Sequence, residues 1–470
     1  MNRRDFLAAT AAMVAGTVTG AAREEKNLKP NVVFVLADQW RAQACGYTGD
    51  PNLKGRTPIL DQLAAESVDF THAVSCCPVC TPYRASLITG QYPLTNGLFL
   101  NDVCLSTKAT SIAQVYTQAG YDTAYIGKWH LDGNGRSAYI PSERRQGFDY
   151  WKVLECTHNY NRSPYYAGND PTQRIWDGYD VFAQTKDAQV YIKDHSKGPK
   201  PFLLILSWGP PHNPYETAPE KFKRMFDADK IVLRPNAQKE FAKDLAGYYS
   251  HIAAMDTCLG DLLATLDATG LRNDTIFVFT SDHGDMLGSH GQIRKQKPWD
   301  ESIRVPLLVR YPAVQAKGFK IDMPVNTPDI MPTLLGLSGI PVPGSVQGED
   351  FSALCRGAVA PADNPVLIQC PSPFGEWTRA KGGREYRGVR TKRYTYVRDL
   401  NGPWLLYDNE TDPCQIENLV NRKEHVELQT RLESALVKLL KKTEDDFLPG
   451  STYIAKWGYK VDDSGTVSIR

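Results

Sequence analysis

The 470-residue sequence predicts an α/β fold: a mostly parallel central sheet with helices on both faces, followed by a smaller C-terminal α+β unit. Three observations lead there. Four short runs rich in β-branched and aromatic residues are almost continuously apolar, segments of helical character lie between them, and each run ends in a polar cluster. Continuous apolarity marks a strand buried on both faces. Alternation of strand and helix implies parallel pairing. In open parallel sheets ligands bind beyond the carboxyl ends of the strands, where the four polar clusters would converge.

Taken in order, NVVFVLA (31–37) ends in Asp38 and Gln39. TPILDQLAAES follows as a helix, with Thr57 as N-cap and Pro58 at its first position. In CTPYRASLITG (80–90), residues 84–89 read as a helical turn closed by Gly90, and TSIAQVYTQAG is a helix ending at Gly120. DTAYIG (122–127) leads into Lys128, Trp129 and His130. The aromatic and turn-rich block 131–200 reads as long loops over the cleft. FLLILSW (202–208) runs into GPPH with His212, a long helix closes at Gly270, and TIFVFTS (275–281) precedes Asp282, His283, Gly284 and Asp285. Past Pro341 the chain is rich in Pro and Gly; YRGVRTKRYTYVRD and PWLLYD then alternate like antiparallel strands, and an amphipathic helix closes at 424–442. The expected division is a leader at 1–22, a catalytic domain at 28–345 and a C-terminal subdomain at 346–470.

With 54 Lys+Arg against 53 Asp+Glu the net charge is +1, and no basic run marks a nucleic-acid partner. The opening MNRRDFLAATAAMVAGTVTGAA resembles a twin-arginine export signal. Its apolar stretch is shorter than the ~20 residues a spanning helix needs, so no stable membrane span is expected. The mature protein would begin near Arg23 and act in the periplasm or outside the cell. Ten cysteines scattered over a large chain do not form a disulfide framework. Cys76, Cys77 and Cys80 lack the second ligand pair of a zinc site. Nothing in the sequence sets the oligomeric state.

Cys80 precedes a helical turn carrying Arg84, and both the helix dipole and the guanidinium favour an anion there. Read whole, C-x-P-x-R followed by ASLITG resembles the signature of the type I sulfatases of the alkaline-phosphatase-like superfamily. The likeness extends in order through LADQWR, YDTAYIGKWHL, GPPHNPY, TSDHGDMLGSHG, DESIRVPLLVRYP and GVRTKRYTYVR. It implies that a formylglycine-generating or radical maturation enzyme oxidises Cys80 to formylglycine. The hydrated aldehyde carries two hydroxyls: one attacks sulfur, and the other, once deprotonated, expels sulfate by breaking the C–O bond, an exit a serine ester would lack. Twin-arginine export carries folded proteins, so conversion is expected in the cytoplasm before folding.

Asp38, Gln39, Asp282 and His283 match the family's metal positions, which suit Ca²⁺ at ~2.3–2.6 Å, with Mg²⁺ the alternative. Gln39 stands where a second Asp is commonest and His283 where Asn often stands, so His283 is expected either to ligate or to orient. Lys128 and His130 carry over as the sulfate-neutralising cation and the proton acceptor of the diol, and His212 as the donor to the leaving oxygen. Lys295 is selected as the second sulfate lysine, with Lys297 the fallback, and Arg84 would hold the nucleophile and the acidic residues in place. The expected substrate is a sulfated carbohydrate or aryl sulfate, with the aromatics of 150–176 stacking on a ring and Trp377 and Arg379 adding a contact. A phosphonate or phosphate ester hydrolase, a choline sulfatase and a non-catalytic binder of sulfated glycans are the competing readings.

Overall fold

The computed structural model describes residues 29–467, and the leader expected at 1–22 lies outside them. All four apolar runs are strands, and they stand side by side. The main sheet has ten strands in the order Phe319–Ile321, Val68–Phe70, Leu307–Arg310, Thr275–Ser281, Asn31–Asp38, Phe202–Pro211, Asp122–Lys128, Tyr150–Leu154, Pro164–Ala167, Asp170–Ile175. The five strands from Thr275–Ser281 to Tyr150–Leu154 pair in parallel. Antiparallel pairs extend the sheet on either side, except that Phe319–Ile321 runs parallel to Val68–Phe70.

Alternation along the first strand explains why its sequence has no polar face. Val32, Phe34 and Leu36 enter one apolar layer and Val33 and Val35 the other, every one of them buried. Each such side chain contributes about 1.5–3 kcal/mol by leaving water. The first layer is closed by the helices Cys80–Thr89, Ile112–Gln118 and Thr327–Leu337, the second by Asp180–His195 and Ala242–Ala268. Ile112–Gln118 begins in a reciprocal capping box between Ser111 and Gln114, which fixes where the chain turns toward the next strand. At the helix Pro58–Glu66 the Thr57 side chain makes no capping bond, and Pro58 at the first position sets the start instead.

The block 131–200 is not the loop region its composition suggests. Three strands and the sixteen-residue helix Asp180–His195 take up 31 of its 70 residues. Pro164–Ala167 and Asp170–Ile175 form the outer edge of the sheet, where the last five residues are exposed, so no apolar alternation marks them. Further along, Val366–Cys370, Tyr386–Arg390, Tyr394–Asp399 and Gly402–Asp408 form a four-stranded antiparallel sheet. The helix Val426–Lys442 buries Leu432 and Leu436 beside it. This second sheet is fastened to the first unit by the Arg390 guanidinium, which donates to both oxygens of buried Asp300 at 3.0 and 3.1 Å.

Candidate active site

The four parallel strands deliver their last residues to one place. Asp38 ends the first strand, Lys128 the second, His212 follows the third, and Asp282 and His283 follow the fourth. Cys80 is the first residue of a helix whose ten side chains are all buried, entered from extended Val79 and stopped by Gly90 at φ 65°. Cys80 Sγ lies 3.1 Å from Lys295 Nζ, 3.7 Å from Lys128 Nζ, 3.3 Å from His283 Nε2 and 3.9 Å from Asp38 Oδ1. One turn on, Arg84 reaches back: Nη2 donates to Asp38 Oδ2 (3.0 Å) and Asp282 Oδ2 (3.3 Å), and Nη1 to Ser207 Oγ (2.7 Å) and the Lys128 carbonyl (2.9 Å). Lys128 Nζ donates to Asp38 Oδ2 at 2.6 Å.

Charge compensation dominates this pocket. Burial and Asp38 push the Cys80 thiol up, but Lys128, Lys295 and His283 outweigh them and hold it well below its ordinary value. Asp38 is likewise held low against desolvation, chiefly by Lys128. Asp282 goes the other way, pushed up by burial and by its neighbour Asp38. Two carboxylates that cannot both ionise comfortably call for a cation. Further features fit one. Gln39, at φ 70°, donates Nε2 to Asp285 Oδ2 (2.7 Å), which leaves its buried Oε1 without a partner. His283 Nδ1 is 3.0 Å from the Gly284 carbonyl, the bond that fixes the tautomer with Nε2 free as a ligand. Asp38, Cys80, Asp282 and His283 offer donor atoms all within 4.8 Å of one another. The residues present therefore suit a divalent metal, with His283 turned to ligate.

His130 and His212 flank this centre. His130, at φ 60°, points Nε2 at Asp102 Oδ1 (3.0 Å), while its buried Nδ1 has no partner. Burial lowers its pKa, but Cys156, Asp102 and Cys80 raise it to about 10 in the thiol form of the site. Asp102, itself at φ 62°, is gripped by both arms of Arg136 at 2.9 and 2.8 Å. Left-handed backbone at three polar site residues costs of order 1–3 kcal/mol each, strain that clusters where function requires it. His212 Nδ1 donates to the Asn213 carbonyl (2.8 Å) and Nε2 accepts from Lys295 (3.0 Å); burial and Lys295 hold the ring neutral. His158 stacks on it, centroids 4.6 Å apart and planes 3° apart.

All ten side chains selected from the sequence (Asp38, Gln39, Cys80, Arg84, Lys128, His130, His212, Asp282, His283 and Lys295) lie in this one cluster. Lys297 does not: its ammonium donates to the Ile293 carbonyl and sits over the Trp377 ring. Trp377 is only 3% exposed, and Arg379, itself exposed, is paired with Glu385. Trp151 is buried, and Trp176 is stacked against part-exposed Tyr165. Asp102, Arg136, His158, Ser207 and Asp285 were not singled out as site residues. No local pattern marks them, since their partners are remote in sequence; only Asp285, inside DHGD, carried a motif that could have drawn attention.

Fold and site together define a hydrolase of the alkaline-phosphatase-like superfamily. A family model described as Sulfatase matches residues 30–340, and one described as N-sulphoglucosamine sulphohydrolase, C-terminal, matches 288–442. The chain belongs to the sulfatase family, enzymes that hydrolyse sulfuric esters. It is 46% identical to an ulvan-active sulfatase of Formosa agariphila over 93% of this chain and 86% of that one. It is 30% identical to an endo-4-O-sulfatase of Bacteroides thetaiotaomicron over 88% and 92%. The crystal structure of a Bacteroides fragilis sulfatase, yidJ, superposes with a TM-score of 0.81 at 29% identity, covering 93% of this chain and all of that one.

Proposed function

We propose that the protein removes sulfate from a sulfated carbohydrate, with formylglycine made from Cys80 as the nucleophile-bearing group and Ca²⁺ held by Asp38, Gln39, Asp282 and His283. The observation that carries this reading is the meeting of Cys80 at a helix N-terminus with two lysines and Asp38 inside 4 Å, and with Asp282 inside 4.8 Å. With both groups in place, the centre supplies an ionised hydrate oxygen and a Lewis acid for a sulfate oxygen. Lys128 and Lys295 neutralise the remaining sulfate charge. Arg84 fixes the two carboxylates against each other, which a point-charge ammonium could not do.

His130 takes the hydrate proton through Nδ1, oriented by Asp102 and Arg136. Conversion of Cys80 removes one of the three groups that keep His130 protonated, and so brings it toward the range of a base. His212 delivers a proton to the leaving oxygen from Nε2. An anionic ester beside it acts against Lys295 and favours its protonation. The identity to an enzyme named for ulvan supports a polysaccharide or oligosaccharide sulfate as substrate. Export by the leader at 1–22, periplasmic or secreted action, prior conversion by a formylglycine-generating or radical enzyme, and a division near 345 belong to the same proposal. Assaying the converted protein on a panel of sulfated sugars beside aryl sulfate and aryl phosphonate tests it. Sugar sulfates are expected to have the highest kcat/KM; a much larger value on the phosphonate would overturn the reading.

A further inference from the structure

The same centre has a second chemistry before Cys80 is converted. We propose that the thiol form of this chain uses Cys80, His283, Asp38 and Asp282 as a tetrahedral site for a thiophilic divalent cation such as Zn²⁺, and that conversion switches the site to an oxygen-seeking ion. The inference rests on the metal ligands proposed above but not on the reaction.

Geometry is the first support. Bonds of ~2.0–2.3 Å to a tetrahedral zinc make ligand-to-ligand edges of about 3.3–3.8 Å. The known edges here are Sγ to His283 Nε2, 3.3 Å; His283 Nε2 to Asp282 Oδ1, 3.5 Å; His283 Nε2 to Asp38 Oδ1, 3.9 Å; and Sγ to Asp38 Oδ1, 3.9 Å. These four of the six edges need shifts of no more than tenths of an ångström, and the remaining two, from Asp282 to the sulfur and to Asp38, lie within 4.8 Å. Asp38 Oδ2 is engaged by Lys128 and Arg84, which leaves Oδ1 to bind through one oxygen, as four-coordination requires.

Donor chemistry is the second. Calcium seeks six to eight oxygens, whereas thiolate and imidazole select zinc. Conversion deletes the sulfur, removes its negative charge and puts oxygen in its place. Lys295, which shares the sulfur, has another acceptor in His212 Nε2 at 3.0 Å and need not compete with the ion. Unconverted chains would therefore be closed by the wrong metal, a state distinct from merely lacking the aldehyde.

The test uses the full chain, confirmed by mass to carry the Cys80 thiol, titrated with Co²⁺ and then with Zn²⁺ or Ca²⁺. The expected result is a thiolate-to-cobalt charge-transfer band with tetrahedral absorption, bleached by Zn²⁺ and not by Ca²⁺. Loss of a first ligand should cost at least the ~100-fold that outer-shell changes can reach, so C80S should bind Zn²⁺ about 100-fold more weakly. The converted chain should do the same. A thiol form without the band, or with the same Zn²⁺ affinity as C80S, would overturn the inference. If the converted enzyme still hydrolysed sulfate esters, the proposed function would survive that failure; a cobalt band beside an inert converted enzyme would sink only the function.

Discussion

Replacing Asp102 by Asn isolates the role of His130 from its mere presence. Both side chains are buried, at 4% and 2% exposure, and joined at 3.0 Å. A hydrogen bond to a charged group in such a place contributes about 1.5–3 kcal/mol. Asparagine keeps the shape but drops the charge, and it turns an amide toward His130 or toward the Arg136 fork. If that bond is what keeps Nδ1 on the hydrate in the transition state, kcat/KM of the converted enzyme should fall roughly 10- to 150-fold, at about 1.4 kcal/mol per decade. The direction of the pH effect is also fixed. Asp102 raises the His130 pKa, so its neutralisation lowers it, and the acid limb of the rate profile should move to lower pH while the plateau falls. Steady-state rates on a chromogenic aryl sulfate across pH, with a melting curve to show that the fold persists, supply the measurement. A variant within twofold of the parent, with an unmoved acid limb, would refute the orienting role.

Lys295→Met should reduce kcat by about 10²–10³, the typical loss of one aimed charge-stabilising group, whereas Lys297→Met should leave kcat within a few-fold and act on the melting temperature instead. The folded His130 pKa is raised, so its contribution to stability is whole below about pH 6.5 and lost as pH rises toward 10; that of Asp102, whose pKa is lowered, is whole above about pH 4 and lost in acid. Chemical denaturation of the thiol-form parent and the Asp102→Ala variant across that range should show the difference largest between pH 4 and 6.5. In active protein the peptide holding Cys80 should be ~18 Da lighter than the thiol form, and an unmodified thiol with undiminished activity would defeat the mechanism. Chelation should abolish turnover, with Ca²⁺ restoring it better than Zn²⁺; restoration by Zn²⁺ alone would contradict the hard-donor assignment.

What could be read in advance followed burial. The strands Asn31–Asp38, Asp122–Lys128, Phe202–Pro211 and Thr275–Ser281 announce themselves because both faces are dry, and their polar ends pointed at the site. Asp170–Ile175 sits at an edge in water, so nothing in its composition favours extended over irregular backbone. The helix Asp180–His195 buries Asp180, Gln184 and Thr185 as well as its apolar residues, which blurs the stripe that would have revealed it. The ten site residues were reached through a motif, whose spacing reflects chemistry. Asp102 lies 28 residues from His130 and 34 from Arg136, and meets both only because loops remote in sequence fold together, a fact no local spacing encodes.

The loop that carries Lys295 is gripped from the far side. Gln296 Nε2 donates to the Phe374 carbonyl at 3.0 Å and its Oε1 accepts from the Phe374 amide at 3.1 Å, a reciprocal pair across 78 residues. The segment joining the first two strands of the C-terminal sheet is thus a scaffold for one ammonium group. Trimming the enzyme to its larger half would not yield a minimal hydrolase but one with an untethered lysine, and grafting the distal half of a relative would transmit its differences straight to sulfate.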